Sequence, residues 1–285
     1  MRGLIIKNIS DNFDCLVDGV VYRAKPRGKL KKRDRLIVGD YVECDFENGE
    51  LVISGREKRK NQFVRPPIAN IDVLCIVVSE VPLVDKFLVD KLLIKCAENS
   101  IAPILVINKC DIISSRFVDE IRAEYSFLKI YCISALTGEG VDALKSELVG
   151  KLTAFAGQSA VGKSKLSACL GAKALDGELS VKTMRGKHTT RHTEIYSLSG
   201  DILVADTPGF SRLDINEVHY KDLKYFYPEF EDFTCKYNSC DHIEQKICDC
   251  AVKVALNDCK INQNRYNRYV KVYKELKHFW ESKYD

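Results

Sequence analysis

Leu152-Thr153-Ala154-Phe155-Ala156-Gly157-Gln158-Ser159-Ala160-Val161-Gly162-Lys163-Ser164 opens with a strand-length apolar run and closes on G-x-x-x-x-G-K-S, with helix-forming residues following. A glycine-rich loop between a strand and a helix turns its backbone N–H groups inward, toward phosphate oxygens. The pattern predicts that Gly157, Gln158, Ser159, Ala160, Val161 and Gly162 cradle the phosphates of a nucleotide, with Lys165 counted in the same site. Lys163 would bridge the β- and γ-phosphates, and the Ser164 hydroxyl would ligate Mg²⁺.

A phosphate loop does not choose the base; Asn108-Lys109-Cys110-Asp111, after the apolar run Ile104–Ile107, does. The Asp111 carboxylate can accept hydrogen bonds from guanine N1–H and N2–H₂. Adenine offers neither donor and would leave the acceptor unpaired. Lys109 would lie over the purine and Asn108 would tie this loop to the phosphate loop. Ser134-Ala135-Leu136 follows the next strand, where the Ala135 N–H would meet guanine O6. Downstream, Asp206-Thr207-Pro208-Gly209 follows the strand Ile202–Ala205. An aspartate there can hold Mg²⁺ through water, and the Gly209 N–H can bind the γ-phosphate. Between them lies Arg185-Gly186-Lys187-His188-Thr189-Thr190; one threonine, Thr189 or Thr190, is expected at Mg²⁺. Phe210 follows Gly209 where a water-orienting Gln could stand, so intrinsic GTP turnover is expected to be slow. Ordinary GTPases run phosphate loop, switch I, D-x-x-G, N-K-x-D, S-A. Here N-K-x-D and S-A come first, a circular permutation that a parallel sheet survives if the old termini lay close together.

Outward from these motifs the chain divides in three. Residues 1–62 carry short apolar stretches (Leu4–Ile6, Cys15–Val17, Val20–Tyr22, Leu36–Val38, Tyr41–Cys44, Leu51–Ile53) split by turn signals such as Asp18-Gly19 and Asn48-Gly49, the pattern of a small β-barrel. Its segment Arg23–Arg35 holds Arg23, Lys25, Arg27, Lys29, Lys31, Lys32, Arg33 and Arg35 against Asp34 alone, which favours nucleic acid as a partner. The nucleotide motifs all lie beyond Ile71 and are expected to need nothing from this barrel. Residues 63–213 alternate strands with helices near Val84–Glu98, Phe117–Ser126 and Val141–Lys151, an α/β pattern. Residues 214–285 turn aromatic and cysteine-rich and end in an amphipathic helix near Gln263–Lys283, whose Arg265, Arg268 and Lys271 are candidate RNA contacts.

The whole is 285 residues, 46% hydrophobic and 29% charged, enough apolar material for several cores and too much for a disordered chain. No apolar run approaches the ~20 residues of a membrane span, and the start lacks a signal-peptide core, so a cytoplasmic protein is expected. Of the twelve cysteines, Cys15, Cys44, Cys75, Cys96, Cys110, Cys132 and Cys169 read as buried apolar residues. Cys235-x₄-Cys240-x-His242-x₅-Cys248, with Cys250 two residues on, has the spacing of one structural Cys₃His zinc site. Cys235, Cys240 and His242 are three of its ligands. The fourth is Cys248 or Cys250, and the spacing from His242 favours Cys248.

Arg27-Gly28-Lys29-Leu30, Val38-Gly39-Asp40, Arg65-Pro66-Pro67-Ile68-Ala69-Asn70-Ile71-Asp72, Gly186-Lys187-His188-Thr189-Thr190 and Asp206-Thr207-Pro208-Gly209-Phe210 together resemble the signatures of the RsgA family of ribosome small-subunit-dependent GTPases, along nearly the whole chain. The resemblance implies a multidomain α/β protein. An N-terminal OB-type β-barrel (1–62) would bind RNA, a circularly permuted P-loop GTPase domain (63–213) would follow, and an α-rich zinc-binding domain (214–285) would end it. It implies GTP/GDP, Mg²⁺ and one structural Zn²⁺ as ligands, and the 30S subunit and its 16S rRNA as partners. A monomer is implied, without membrane or DNA association, and with His188 positioning the attacking water. Two departures stand out. Ala160 occupies a position where the family commonly has Gly, which is harmless at negative φ. The family's C-A-V matches Cys250-Ala251-Val252 although its spacing from the histidine matches Cys248. A rival reading, an RNA-binding module that holds GTP without hydrolysing it, is opposed by Lys163, Ser164 and Asp206; an ATPase is opposed by Asp111.

Overall fold

A computed structural model describes residues 1–9, 12–28, 35–64, 66–171, 193–198, 201–206 and 215–283. Five strands, β1 (Arg2–Ile9), β2 (Asn12–Val17), β3 (Val20–Pro26), β4 (Tyr41–Glu47) and β5 (Glu50–Arg56), run in the order β1-β2-β3-β5-β4, and β4 pairs back onto β1. The loop closes a barrel and removes its free edges. The two tight hairpins, Asp18-Gly19 and Asn48-Gly49, have both central residues at positive φ (48° and 81°; 51° and 83°). That is the turn whose twist matches right-handed strands. Ile5, Phe13, Cys15, Val17, Val42, Cys44, Leu51 and Ile53 fill the interior. The strand expected at Leu36–Val38 is a single bridge, Val38 to Ile68. Asp40 turns the chain there: its Oδ2 accepts from the Ile37 N–H at 2.8 Å and from Arg59 Nη2 at 2.7 Å.

A short hairpin, β6 (Gln62–Phe63) and β7 (Ile68–Ala69), leads into the α/β layer. Its strands are β8 (Val73–Val78), β9 (Ala102–Ile107), β10 (Lys129–Cys132), β11 (Leu152–Ala156), β12 (Glu194–Leu198) and β13 (Ile202–Asp206), in the order β10-β9-β8-β11-β13-β12. All neighbours are parallel except β12, which returns antiparallel to β13. Helices α1 (Lys86–Glu98) and α2 (Ser115–Glu124) cover one face; α3 (Val141–Leu148) and α4 (Lys163–Cys169) cover the other. β8 reads V-L-C-I-V-V without a polar residue because both of its faces are covered. Leu74, Ile76 and Val78 point to the first face, and Val73, Cys75 and Val77 to the second.

The barrel is not a detachable appendage. Lys7 on β1 pairs with Glu194 on β12, and their side chains bond at 2.9 Å, so the barrel extends the central sheet. Leu4 and Ile6 lie in the same apolar cluster as Leu74, Ile76 and Ile195. The nucleotide motifs all lie beyond Ile71, as read, but the sheet that carries them shares its core with the barrel.

The C-terminal part consists of 3₁₀ turns at Tyr220–Phe226, Pro228–Phe230 and Ile247–Asp249, then α5 (Ala251–Asn257) and α6 (Gln263–Glu281). Asn262 caps α6, its Oδ1 accepting from the N–H groups of Asn264 and Arg265 at 3.0 and 3.2 Å. Tyr269, Val272, Tyr273 and Leu276 bury one stripe of α6, in a cluster that includes Ile94 of α1. Arg265 and Arg268 are not RNA-facing. Arg265 is 1% exposed and pairs with Asp90 of α1 and with Glu229, the latter at 2.7 Å. Arg268 pairs with Asp90 at 2.5 Å and with Glu124. Lys271 lies over the Phe87 ring, 4.6 Å from its centroid.

Asp90 is fully buried between two guanidiniums, so removing it would leave two cations in the interface with one carboxylate each, Glu229 and Glu124. Asp90→Ala is expected to destabilise the protein by about 3–5 kcal/mol. Chemical denaturation checks this; a loss under about 1 kcal/mol would mean that the cluster relaxes or hydrates freely.

Candidate nucleotide site and metal centre

In the sheet, β8, β9 and β10 are laid down in one direction and β11 and β13 in the other. The strand order reverses between β8 and β11. Open α/β sheets bind ligands at the carboxyl ends of the strands beside such a reversal. The loops after β8, β9, β10 and β11 all leave from that edge.

Asn108, 2% exposed, gathers them. Its Nδ2 donates to Val161 O in the phosphate loop at 2.8 Å, and its Oδ1 accepts from Ala135 N at 3.0 Å and Lys109 N at 2.8 Å. One side chain thus brackets the phosphate loop, N-K-x-D and S-A. The Ala135 N–H expected at guanine O6 is the one that donates to Asn108, so a purine oxygen would share that donor. The Ser134 Oγ accepts from the N–H groups of Leu136 and Thr137 at 3.3 and 3.1 Å and shapes the turn. Lys109 Nζ donates to Ala160 O at 2.9 Å and to Val81 O at 2.6 Å, spanning the mouth of the site. Asp111, two residues on, is exposed.

The phosphate loop is held from the other side by the segment after β8. Gln158 accepts from the Asp85 N–H at 2.7 Å and donates to Leu83 O at 2.8 Å. Val81, Leu83 and Asp85 belong to no motif, and only the sheet order reveals their part. Gly157 needs to be glycine because a Cβ would sit 2.3 Å from Val77 O, and at Gly162 a Cβ would meet Asn108 Nδ2 at 2.3 Å. Lys163 Nζ donates to the carbonyls of Gly157 and Gln158 at 2.9 and 2.7 Å, so its ammonium already lies over the loop. Ser164 and Lys165 are exposed in the first turn of α4. The condition set for Ala160, a negative φ, is not met: its φ is +64°, the left-handed region that costs a Cβ-bearing residue roughly 1–2 kcal/mol. Of the other expected site residues, His188, Thr189, Thr190 and Gly209 lie outside the described residues. Asp206 ends β13, where its backbone pairs with Glu194.

The basic loop is less one-sided than it reads. Arg23 pairs with Asp14 at 2.6 Å, Lys25 with Glu50 at 3.1 Å, and Arg27 with Glu47. Those acids come from neighbouring strands and could not be read from the loop itself. Lys29, Lys31, Lys32 and Arg33 lie outside the described residues.

Cys235, Cys240, His242 and Cys250 bring one ligand atom each to within 4.8 Å of one another. Zn–S bonds of about 2.3 Å and a Zn–N bond of about 2.1 Å would set tetrahedral S···N edges near ~3.6 Å and S···S edges near ~3.8 Å. The three sulfurs stand 3.5, 3.4 and 3.6 Å from His242 Nδ1, and Cys235 stands 3.9 Å from Cys250. The donor set fits zinc. The preference for Cys248 is corrected to Cys250. Residues 247–249 form a 3₁₀ turn that leaves Cys248 exposed and carries Cys250 inward to start α5. His242 sits at φ +63°, which lets Cys240 and His242 face one point across a single residue. Burial, with Lys224 adding to it, pushes the His242 imidazole down to about 4 and keeps it in the neutral form a metal requires. Burial pushes the Cys240 thiol up to about 12, a proton the metal would displace. Three tyrosines on α6 hold the ligand loop: Tyr266 donates to His242 O and Tyr269 to Asp241 O, each at 2.6 Å, and Tyr273 donates to Asp241 Oδ2 at 3.0 Å. Their spacing is helical, so they share a face that the sequence carried as a visible signal.

A P-loop sheet whose N-K-x-D and S-A loops precede its G-x-x-x-x-G-K-S loop, joined to a five-stranded barrel and a Cys₃His cluster, has the architecture of a circularly permuted GTPase. Residues 56–216 match the family described as RsgA GTPase, and residues 2–52 match the RsgA N-terminal domain. A protein of Clostridium botulinum named small ribosomal subunit biogenesis GTPase RsgA is 38% identical over 97% of both chains. A like-named protein of Thermotoga maritima is 37% identical over 96% of both. The crystal structure of YjeQ from Thermotoga maritima superposes with a TM-score of 0.84 at 32% identity, covering 96% of this chain and 98% of that one. YloQ, described as a circularly permuted GTPase, superposes with a TM-score of 0.82 at 30% identity, covering 97% and 95%. The chain belongs to the RsgA family and is a GTPase. No helix among the described residues is long and apolar enough to cross a membrane.

Elemental analysis of the reduced protein should find about one zinc per chain. Cys250→Ser should lose it and Cys248→Ser should keep it; the reverse pattern would exclude the tetrahedron described.

Proposed function

We propose that this chain is a cytoplasmic, monomeric GTP-hydrolysing factor in late maturation of the 30S ribosomal subunit, binding 16S rRNA and activated by the subunit. The names of its relatives support the process. The observation that carries the nucleotide reading is the Asn108 bracket, which brings phosphate-, base- and turn-forming loops to one sheet edge.

In this reading Asp111 accepts from guanine N1–H and N2–H₂, and Lys109 covers the purine. The N–H groups of Gly157–Gly162 surround the phosphates. Lys163 exchanges its carbonyl partners for β- and γ-phosphate oxygens, which carry more charge. Bound Mg²⁺ neutralises charge developing on the phosphates. Ser164, with Thr189 or Thr190 and with Asp206, would hold it. His188 orients the attacking water when the subunit docks, and Phe210, apolar, leaves that task undone without it. The zinc cluster is structural, with a closed set of four protein ligands. RNA contact falls to the barrel loop. Its ion-paired Arg23, Lys25 and Arg27 are exposed, where such pairs are worth little and phosphates can replace the acids.

Asp111→Asn should weaken GTP and GDP binding and favour xanthine nucleotides, because an amide can face the xanthine O2. Unchanged GTP affinity without a gain for XTP would remove Asn108–Asp111 from the base site. Turnover should rise on addition of purified 30S subunits and not of 50S subunits. Equal rates in all three conditions would defeat the proposed activation. Because the barrel shares the GTPase core, its role is tested by substitution. Glu in place of Lys29, Lys31, Lys32 and Arg33 together should weaken 30S co-sedimentation and flatten its salt dependence, while GDP affinity stays unchanged. Undiminished, salt-insensitive binding would move the RNA anchor elsewhere.

A further inference from the structure

Cys110, the variable residue of Asn108-Lys109-Cys110-Asp111, does not stand alone. The Cys110 N–H donates to Ile133 O at 3.0 Å, and Cys110 Sγ reaches Ile107 O at 3.4 Å. Cys132 is the residue before Ile133, the last of β10, in register with Ile107 on β9. The turn after β9 therefore folds Cys110 back against the end of β10, and Cys110 and Cys132 pack against the same apolar cluster on one face of the sheet. Both residues are half-buried, unlike Cys15, Cys44, Cys75 and Cys96, which are buried. Arg122 of α2 directs its Nη2 at Cys132 Sγ from 3.4 Å, so a guanidinium stands against that sulfur. Two and three residues beyond Cys132 come Ser134 and Ala135.

We propose that Cys110 and Cys132 form a reversible disulfide that ties the two guanine-reading loops together and weakens guanine-nucleotide binding. The proposal rests on the reading of those loops as the base site. Its oxidant is a low-molecular-weight disulfide. The Cys132 thiolate attacks one sulfur of that disulfide, forming a mixed disulfide and releasing one small thiolate. Cys110 then loses its proton and attacks the Cys132 sulfur, releasing the second small thiolate. Both thiolates take up the protons given up by the protein, so two protein thiols are oxidised and one small disulfide is reduced to two thiols. Burial pushes the Cys110 thiol up to about 11, with Cys132 as a further contributor, so Cys110 ionises second and its attack is the slower step, aided by being intramolecular. A disulfide brings its sulfurs to about 2.05 Å, closer than two protonated thiols can approach. Cys110 must then move toward β10, carrying Lys109 and Asp111 with it. Lys109 already holds a left-handed backbone, φ +69°, and has little freedom to absorb the shift.

The test uses the full, zinc-loaded chain, treated with oxidised glutathione and digested with trypsin under non-reducing conditions. A cross-linked pair of the peptides Cys110–Arg116 and Ile130–Lys145 is expected, lost on dithiothreitol treatment. Absence of that pair would overturn the proposal. Affinity for a fluorescent GDP analogue should fall about ten- to hundredfold on oxidation, the worth of one misplaced charge-assisted hydrogen-bond pair. It should return on reduction; a formed disulfide with unchanged affinity would overturn the regulatory part. Cys132→Ser should bind GDP as the reduced protein does and lose the sensitivity. Because that variant keeps Cys235, Cys240 and Cys250, an oxidative loss that persisted in it would assign the effect to the zinc cluster and overturn the proposal. Reduced protein that bound no GDP would instead defeat the reading of the base site, whether or not the cross-linked peptides appeared.

Discussion

A carboxylate with no access to water, Asp90, sets how the three parts of this protein fit together. It accepts from Arg265 and Arg268 of α6 and from the Tyr125 hydroxyl at 3.0 Å. Around it Arg268 reaches Glu124, Lys86 reaches Glu124 at 2.6 Å, and Arg265 reaches Glu229. Burial draws both guanidiniums down, but the acids around them outweigh it and raise both. Charges of alternating sign in a dry interface gain much of their worth from geometry, because guanidinium forks accept few arrangements. An apolar contact between α1 and α6 could slide by a turn. This one cannot slide without leaving Asp90 unpaired, at a penalty of several kcal/mol.

The fixed register makes α1 a common support. Its N-cap residue, Asp85, accepts from the N–H groups of Phe87 and Leu88 at 3.0 and 3.1 Å while donating its own N–H to Gln158 of the phosphate loop. Its middle carries Asp90. Beyond Asp90 stands α6, whose tyrosines clasp the loop of Asp241 and His242. Phosphate loop, helix, ion cluster and metal loop are consecutive packed contacts, and the barrel joins the same body through β1 and β12. Permutation suits this arrangement, since the strand that ends at Asp206 lies next to the phosphate strand while the chain beyond it supplies the metal-binding part.

Elements governed by local chemistry were legible in the sequence. The apolar runs that became β8, β9 and β11, the D-G and N-G turns, the phosphate loop and the long C-terminal helix follow from periodicity, backbone freedom and side-chain type within a few residues. What escaped depends on residues far apart in the chain. β12 carries only a short Ile-Tyr-Ser-Leu signal and exists because β13 and β1 offer it edges. Arg265 and Arg268 read as RNA contacts because Asp90, which buries them, is more than 170 residues away. Arg23, Lys25 and Arg27 read as unopposed because their acids lie on adjacent strands. Spacing favoured Cys248 as a ligand, but a 3₁₀ turn advances the chain only about 2.0 Å per residue, less than an extended loop, so two more residues are used and Cys250 arrives instead.

The backbone around the bracket explains how Ala160 is tolerated at positive φ. Lys109 at φ +69° and Ala160 at φ +64° are both Cβ-bearing residues in the left-handed region, on loops from different strands, and the Lys109 ammonium bonds the Ala160 carbonyl. Strain of this kind persists only where the surroundings over-determine it. Here they do: Asn108 fixes Val161, Gln158 is pinned by Leu83 and Asp85, and Gly162 admits Asn108 only because it lacks a Cβ. A glycine at position 160 would meet the same φ without steric penalty but would leave the unfolded chain more freedom to lose. The alanine trades a strained fold for a less mobile loop. The trade is tolerable because contacts from two other segments, Asn108 on one side and Leu83 with Asp85 on the other, already dictate where the loop must lie.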